Sequence, residues 1–466
     1  MKEQLLQFIW RYQYFNRPKL YTETGEALQI LSPGDLNTHQ GPDFLNAAIR
    51  IGNTYWAGNI ELHIKTSDWD RHAHQHDRNY RNVILHVVWE NDMAACGGVD
   101  PSGEEAGPVA GYLPLLVLQH RVPKWLLGKY SAWMNHQRFI ACEGQVPQVS
   151  ENTWEVWKQR LVEERLYRKS LFIRDALAET HQHWEEVTWW LLARNFGLPV
   201  NTGSFEAMAR NLPISVLARH RGNVGQLEAL LLGQAGLLEE AFGEEYPLFL
   251  QKEFRYLRKK YRLPAPSSPI FFLRMRPGNA PLIRLAQLAG LLSRCAAWFV
   301  TIKEADSPED LKPLLRVTAS AYWDRHYGWG TAGPGREAGA QTGMAGNADN
   351  GMGNALAGAG DDGAVRPKRI GRQMMDSILI NTAAPLLFAY GWLRGEKTMR
   401  DKALRWLAAI PPEKNALIAG WGHQGVYGKH AADTQALLEL KTRYCDPKKC
   451  LQCAIGHFIL GEATPG

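Results

Sequence analysis

Residues 42–65 read PDFLNAAIRIGNTYWAGNIELHIK. Gly52-Asn53 in the middle is a two-residue turn signal, since both residue types accept the positive φ that a tight hairpin demands. Phe44–Ile51 alternates weakly before it, and Thr54–Lys65 supplies a second strand after it. Pairing the two strands about that turn sets Asp43 opposite Leu62. Glu61, His63 and Lys65 then share one face, because side chains alternate along a strand. Glu61 and His63 become near neighbours of Asp43, and a one-residue bulge brings Glu61 directly opposite it. Two carboxylates beside an imidazole and an ammonium make a site for a hard divalent cation. Asp43 and Glu61 are expected to hold Mg²⁺ or Mn²⁺, with His63 and Lys65 positioning or deprotonating a water. Gln40, in the preceding loop, and His86, on the next strand, are the expected supports.

Working outward, MKEQLLQFIWRYQYF at residues 1–15 reads as an amphipathic helix, without the apolar core or cleavage site of a signal peptide. Residues 20–31 (LYTETGEALQIL) read as a hairpin turning at Thr24-Gly25. Ser67 and Asp70 form a capping-box pattern, predicting a short helix toward Tyr80. VILHVVW at 83–89 is a buried strand, too short and β-branched for a helix, and a further strand is expected near 112–119. The predicted order is helix, three strands, helix, strand, strand.

From about Asn152 the pattern becomes helical. Asn152 and Glu155 resemble a second capping box, and Trp154, Trp157, Leu161 and Leu166 follow at helical spacing. Breaks fall at Gly197-Leu198-Pro199, at Pro213 and at 264–269. Residues 328–363 are dominated by Gly, Ala, Asn and Asp and read as a flexible insertion. The expected fold is therefore α+β: a small mixed-sheet α/β domain over 1–145, then a larger, mostly α-helical part. The latter comprises a helical domain at 150–327, the insertion at 328–366 and a helical C-terminal region at 367–466.

With 45% hydrophobic and 21% charged residues over 466 positions, the composition is globular. The apolar stretch 283–300 is interrupted by Arg284, Gln287 and Arg294, so no membrane span is expected. Six cysteines in so long a chain do not suggest a disulfide framework, and a cytoplasmic location is expected. A net charge of +6 permits a polyanionic partner without demanding one. The basic–aromatic run EFRYLRKKYR at 253–262 contributes Arg255, Arg258, Lys259, Lys260 and Arg262, and Arg274 and Arg276 follow. These are the candidate contacts to DNA or RNA; a solvated helix face is the competing explanation.

Six of the 15 histidines (His39, His63, His72, His74, His76 and His86) lie between positions 39 and 86. Helical spacing puts His72 and His76 on one face, which with Asp77 or His63 suggests zinc; ordinary hydrogen bonding on a polar face is the alternative. His86 interrupts an apolar strand and needs a buried partner. At the other end, Cys445-x4-Cys450-x2-Cys453 suggests thiolate ligation of zinc or an iron–sulfur cluster, with Cys142 as the fourth ligand and His457 as the alternative. Cys96 and Cys295 read as ordinary loop and core residues.

The layout around 42–65 resembles the PD-(D/E)XK nuclease superfamily. That resemblance implies a core of helix, three strands, helix and strand, with Pro-Asp opening the second strand and acid-x-Lys on the third. Pro42-Asp43 matches the first element, and Glu61-Leu62-His63 matches the second with His in place of Lys; Lys65 stands ready to supply the cation. An upstream cysteine plus a C-terminal trio resembles the iron–sulfur staple of some recombination and CRISPR-associated nucleases, at a different spacing. The whole chain, outside the Gly-rich stretch, also resembles an uncharacterised family, domain of unknown function 2851. Segments such as LNTHQGPDFLNAAIRIG, WAGNIELHIKTSDWDRHAH and CDPKKCLQCAIG carry that likeness, which implies a bacterial, cytoplasmic protein. The leading expectation is a divalent-metal-dependent nuclease. Its competitors are a non-catalytic nucleic-acid-binding scaffold on the same fold and a zinc-dependent hydrolase built on the His72-to-Asp77 region.

Overall fold

In the computed structural model the described residues are 1–37, 40–93, 113–135, 137–197, 199–272, 277–332 and 365–461. The chain divides into two units, one of residues 1–157, 419–426 and 440–466, the other of 158–418 and 427–439. The Gly-rich insertion lies almost wholly outside the described residues, as do His39 and Cys96.

The first unit is organised by a sheet of β1 (Leu28–Ser32), β2 (Asp35–Leu36), β3 (Phe44–Ile51), β4 (Thr54–Lys65), β5 (Val83–Glu90) and β6 (Leu115–Val117). The order is β1-β3-β4-β5-β6, with β2 also pairing β3. Pairs β1/β3 and β3/β4 are antiparallel, whereas β4/β5 and β5/β6 are parallel. Strand β5 is flanked on both sides and covered on both faces, which explains its unbroken apolar run. Phe44, Ile49, Ile60, Leu62, Leu85, Val87 and Val88 form the centre of its core. Gly58 lets β4 approach β5: a Cβ there would lie 2.5 Å from Ile84 Cγ2 and 2.6 Å from the Asn82 carbonyl.

Helix α1 (Glu3–Arg11) packs on β4 through a face that includes Leu5, Leu6, Phe8, Ile9 and Trp10. The turn at Gly25 (φ +81°) and the Tyr21–Ala27 bridge form the short hairpin before β1. The parallel crossover from β4 to β5 departs from the expected single helix. Helix α2 covers only Asp68–Arg71, and two 3₁₀ turns, His74–His76 and Arg78–Tyr80, complete the connection. Ala73 takes φ +57°, which ends the helix after one turn. Ser67 does not cap α2; its backbone N–H and hydroxyl both donate to the Asp92 carboxylate.

Helix α3 (Lys124–Asn135) follows in the same unit, and α4 (Glu151–Glu179) then carries the chain into the second. The N-terminus of α4 is held by Ser150, whose hydroxyl accepts from the Thr153 N–H, rather than by the predicted Asn152–Glu155 pair. The second unit is mostly helical, and its chain breaks follow proline and glycine chemistry. One helix stops at Phe196 and another begins at Ile214, directly after Pro213. Pro281–Arg294 and Trp298–Glu304 are bent by 68° relative to each other, and among the described residues no single helix is long and apolar enough to cross a membrane.

Candidate metal centre

The β3/β4 hairpin sets the geometry. From Ile51↔Thr54 to Ala47↔Gly58 the strands keep the register dictated by the turn, but Phe44 then faces Ile60. The shift is a β-bulge in which Asn46 adopts φ +58°. Asp43 is thereby brought across from Glu61 rather than Leu62. The Asp43 backbone N–H donates to Glu61 Oε2 at 3.0 Å, and the Leu62 N–H donates to Asp43 Oδ2 at 3.0 Å. From α1, Gln7 Nε2 donates to Asp43 Oδ1 at 2.8 Å. The second Glu61 oxygen faces imidazoles: Oε1 lies 3.5 Å from His63 Nε2 and 3.4 Å from His74 Nε2.

His63 is the hub. Its Nε2 lies 3.2 Å from His72 Nδ1 and 3.3 Å from His74 Nε2, while its Nδ1 pairs with His86 Nε2 at 2.9 Å. One ring nitrogen therefore faces the cluster and the other is engaged on a neighbouring strand, the arrangement that fixes the orientation of a metal-binding imidazole. His63, His72 and His74 bring one ligand atom each within 4.8 Å of one another. Tyr80 stacks on His74 with centroids 3.9 Å apart, and Trp69 packs against His74 and His86. Glu61, His63 and His86 are 5%, 2% and 4% exposed.

Burial drives the ionisation of both groups toward neutrality. Desolvation is the main cause raising Asp43 to about 7 and Glu61 to about 8, and their mutual repulsion adds to the shift at Glu61. Desolvation, reinforced by the neighbouring histidines, lowers His63 to about 3 and His86 to about 4. His74 is lowered for the same reasons. At neutral pH these imidazoles are uncharged, with lone pairs available, while the carboxylates lack a compensating positive charge.

Of the residues singled out from sequence, Asp43, Glu61, His63, His72 and His86 come together. Lys65 does not join them: its half-exposed ammonium pairs with Glu90 at 3.5 Å and Asp92 at 3.9 Å. Gln40 is exposed, and its carbonyl accepts from Asn37 Nδ2. His76 is exposed and does not share a helical face with His72, because α2 stops before it. The residues missed were His74, brought inward by the left-handed Ala73, and Gln7, whose reach from α1 depends on tertiary packing. Arg255, Arg258, Lys259 and Lys260 lie on the helix Glu245–Tyr261, and Arg262 caps its end; all five are in the second unit. That helix buries Leu250, Phe254 and Leu257, leaving Arg255, Lys259, Lys260 and Arg262 exposed. Arg274 and Arg276 lie outside the described residues.

Fold and site together define a mixed α/β protein with a buried carboxylate–imidazole cluster on its sheet. Residues 3–343 and 360–416 match the family described as Protein of unknown function (DUF2851), and the chain belongs to that family. No curated protein and no solved structure matches it.

Proposed function

We propose that this protein is a divalent-metal-dependent hydrolase of phosphodiester bonds in nucleic acid. The observation that carries the metal assignment is the convergence of Glu61 Oε1, His63 Nε2, His72 Nδ1 and His74 Nε2, with Asp43 alongside. Three imidazoles and a carboxylate fit a borderline ion such as Zn²⁺ better than Mg²⁺, which prefers an all-oxygen shell. Such an ion, when bound, polarises a phosphoryl oxygen and lowers the pKa of a nearby water. Within the chain, Glu61 and the three imidazoles bind, His86 orients His63, and Gln7 and the Leu62 N–H fix Asp43. Asp43, set beside Glu61 and raised in pKa, is the group placed to accept a proton from the attacking water.

The substrate class rests on the similarity to the nuclease superfamily at Pro42-Asp43 and Glu61-x-His63, on the order of elements around them, and on the exposed basic residues of Glu245–Tyr261. A second reading, a zinc hydrolase acting on another substrate, is favoured by the three-histidine set alone. The test is incubation of labelled single- and double-stranded DNA and RNA with purified protein and Mg²⁺, Mn²⁺ or Zn²⁺. The expected result is metal-dependent cleavage, abolished in Asp43→Asn, Glu61→Gln and His74→Ala. Zinc bound through the histidines without cleavage of any of these polymers would favour the second reading; absence of metal binding would sink both.

A further inference from the structure

The first unit contains a second group of ligating side chains that the carboxylate–imidazole site does not use. Cys142 lies in a turn after α3. Cys445 ends a π-helical turn, Lys441–Cys445, that continues the helix Ala431–Leu440. Cys450 opens the 3₁₀ turn Cys450–Gln452, and Cys453 immediately precedes the helix Ala454–Gly461. All four are free thiols. They are close enough to act on one another electrostatically: Cys453 and Cys450 both influence Cys142, and all three influence Cys445. Cys450 and Cys453 are 7% exposed.

Three further observations concern this group. First, Cys453 is surrounded by donors: the backbone N–H groups of Ile455 and Gly456 and the indole N–H of Trp157 all point to its sulfur. A neutral thiol is a weak acceptor for three N–H groups, whereas a metal-bound thiolate satisfies them. Second, the backbone is drawn tight around the group. Gly456 lies so close to Cys450 that a Cβ would meet the Cys450 carbonyl at 2.2 Å, and Lys448, between Cys445 and Cys450, takes φ +54°. Third, positive charge stands nearby: Lys441 acts on Cys445 and Lys448 acts on Cys450. Such charge offsets a tetrathiolate centre.

Four thiolates in one place suit two kinds of occupant. A single tetrahedral ion takes four at metal–sulfur bonds of about 2.3 Å, and an iron–sulfur cluster takes four cysteine thiolates as its usual ligands.

We propose that Cys142, Cys445, Cys450 and Cys453 together ligate a metal centre, a zinc ion or an iron–sulfur cluster, that clips the C-terminal segment to the rest of the first unit. The clip would reinforce contacts already present. Lys129 Nζ of α3 donates to the Ile459 carbonyl at 3.0 Å, and the His457 ring lies 3.9 Å from that of Tyr12 and pairs with Tyr14 at 3.0 Å. Tyr12 and Tyr14 directly follow α1, the helix that carries Gln7 to Asp43, so cluster and sheet site share a supporting element.

The experiment is anaerobic purification of the full chain, followed by iron, zinc and acid-labile sulfide analysis and a visible spectrum. Either iron and sulfide in equal amounts, with the broad charge-transfer absorption of a cluster, or zinc without sulfide is expected at this site. Cys142→Ser and Cys453→Ser should each lower that metal content about tenfold or more. Cys295→Ser, whose thiol instead faces the Thr301 hydroxyl, should leave it unchanged. Zinc that is lost in Glu61→Gln and kept in both cysteine variants would overturn the proposal, as would no metal bound after anaerobic reconstitution of the wild-type chain with iron and sulfide or with zinc. Glu61→Gln should retain the cysteine-bound metal, separating this proposal from the hydrolase reading.

Discussion

Glu61 and His63 stand two residues apart on β4, and burial shifts them in opposite directions on the pH scale. A carboxylate raised from 4.5 to about 8 binds more protons in the folded state than in the unfolded state. Its stabilising contribution is full below the unfolded value and is lost as pH rises through the folded one. A histidine lowered from 6.5 to about 3 has the reverse effect: stability is present above 6.5 and lost as pH falls toward 3. Between pH 6.5 and about 8 the histidine contribution is constant, and the Asp43–Glu61 pair sets a falling slope that Lys169 of the second unit, lowered by burial to about 7, opposes in part. Thermal stability of the metal-free protein should therefore decline across that window, and Glu61→Gln should flatten the decline. Added Zn²⁺ or Mn²⁺ should raise the melting temperature most at the upper end, where the carboxylates are ionised. Melting curves at several pH values check this, and a metal shift independent of pH would contradict it. At this scale the sequence was partly legible. Asp43, Glu61 and His63 follow from strand alternation about a recognisable turn. Lys65 follows from the same alternation and is nevertheless absent from the cluster, because Glu90 and Asp92 at the end of β5 claim its charge. Periodicity within one strand does not reveal a competing partner on another.

At the level of elements, the site depends on one departure from regularity. Without the bulge at Asn46, the β3/β4 register would set Asp43 opposite Leu62, a residue that points into the core. Asparagine tolerates the left-handed conformation found there (φ +58°), while a β-branched residue does so poorly. Asn46→Val is expected to cost about 1–2 kcal/mol in denaturant unfolding and to abolish the metal-induced rise in melting temperature. Asn46→Gly, which accepts positive φ freely, should keep that rise. If both variants bind metal like the parent, the bulge does not position the site. The crossover between β4 and β5 teaches a related lesson. The helical pattern of residues 67–80 predicted the right kind of connection but the wrong pairing of histidines. Local capping residues were used elsewhere, Ser67 by Asp92 and Asp68 by the Lys65 N–H, so the helix ended after one turn. His72 and His74 then converge on His63 from either side of Ala73, a geometry that helical spacing does not produce.

Across the whole molecule, the two units are discontinuous in sequence, since residues 419–426 and 440–466 return to the first unit after the helical one has been built. Composition marks the change near residue 150 but carries no signal for that return, which depends on long-range packing of the cysteine-bearing tail. The two units also rely on different stabilising terms. In the first, β4 and β5 approach closely at Gly58, and Gly58→Ala would force a Cβ against Ile84 and Asn82, an overpacking worth about 1–3 kcal/mol. In the second, Glu439 is 4% exposed at its side chain and is bridged by Arg165 and Arg168. Glu439→Gln removes the carboxylate that pairs with both guanidinium groups, a loss of about 1–3 kcal/mol because Glu413 still acts on Arg165 and Arg168 is partly exposed. Differential scanning calorimetry should then resolve separate responses, as expected for units with their own cores. Gly58→Ala and metal binding should move the transition of the sheet unit, in opposite directions, while Glu439→Gln should lower that of the helical unit. If either substitution or the metal shifts a single common transition, the two units unfold as one cooperative body, and the separation argued from their distinct cores is wrong.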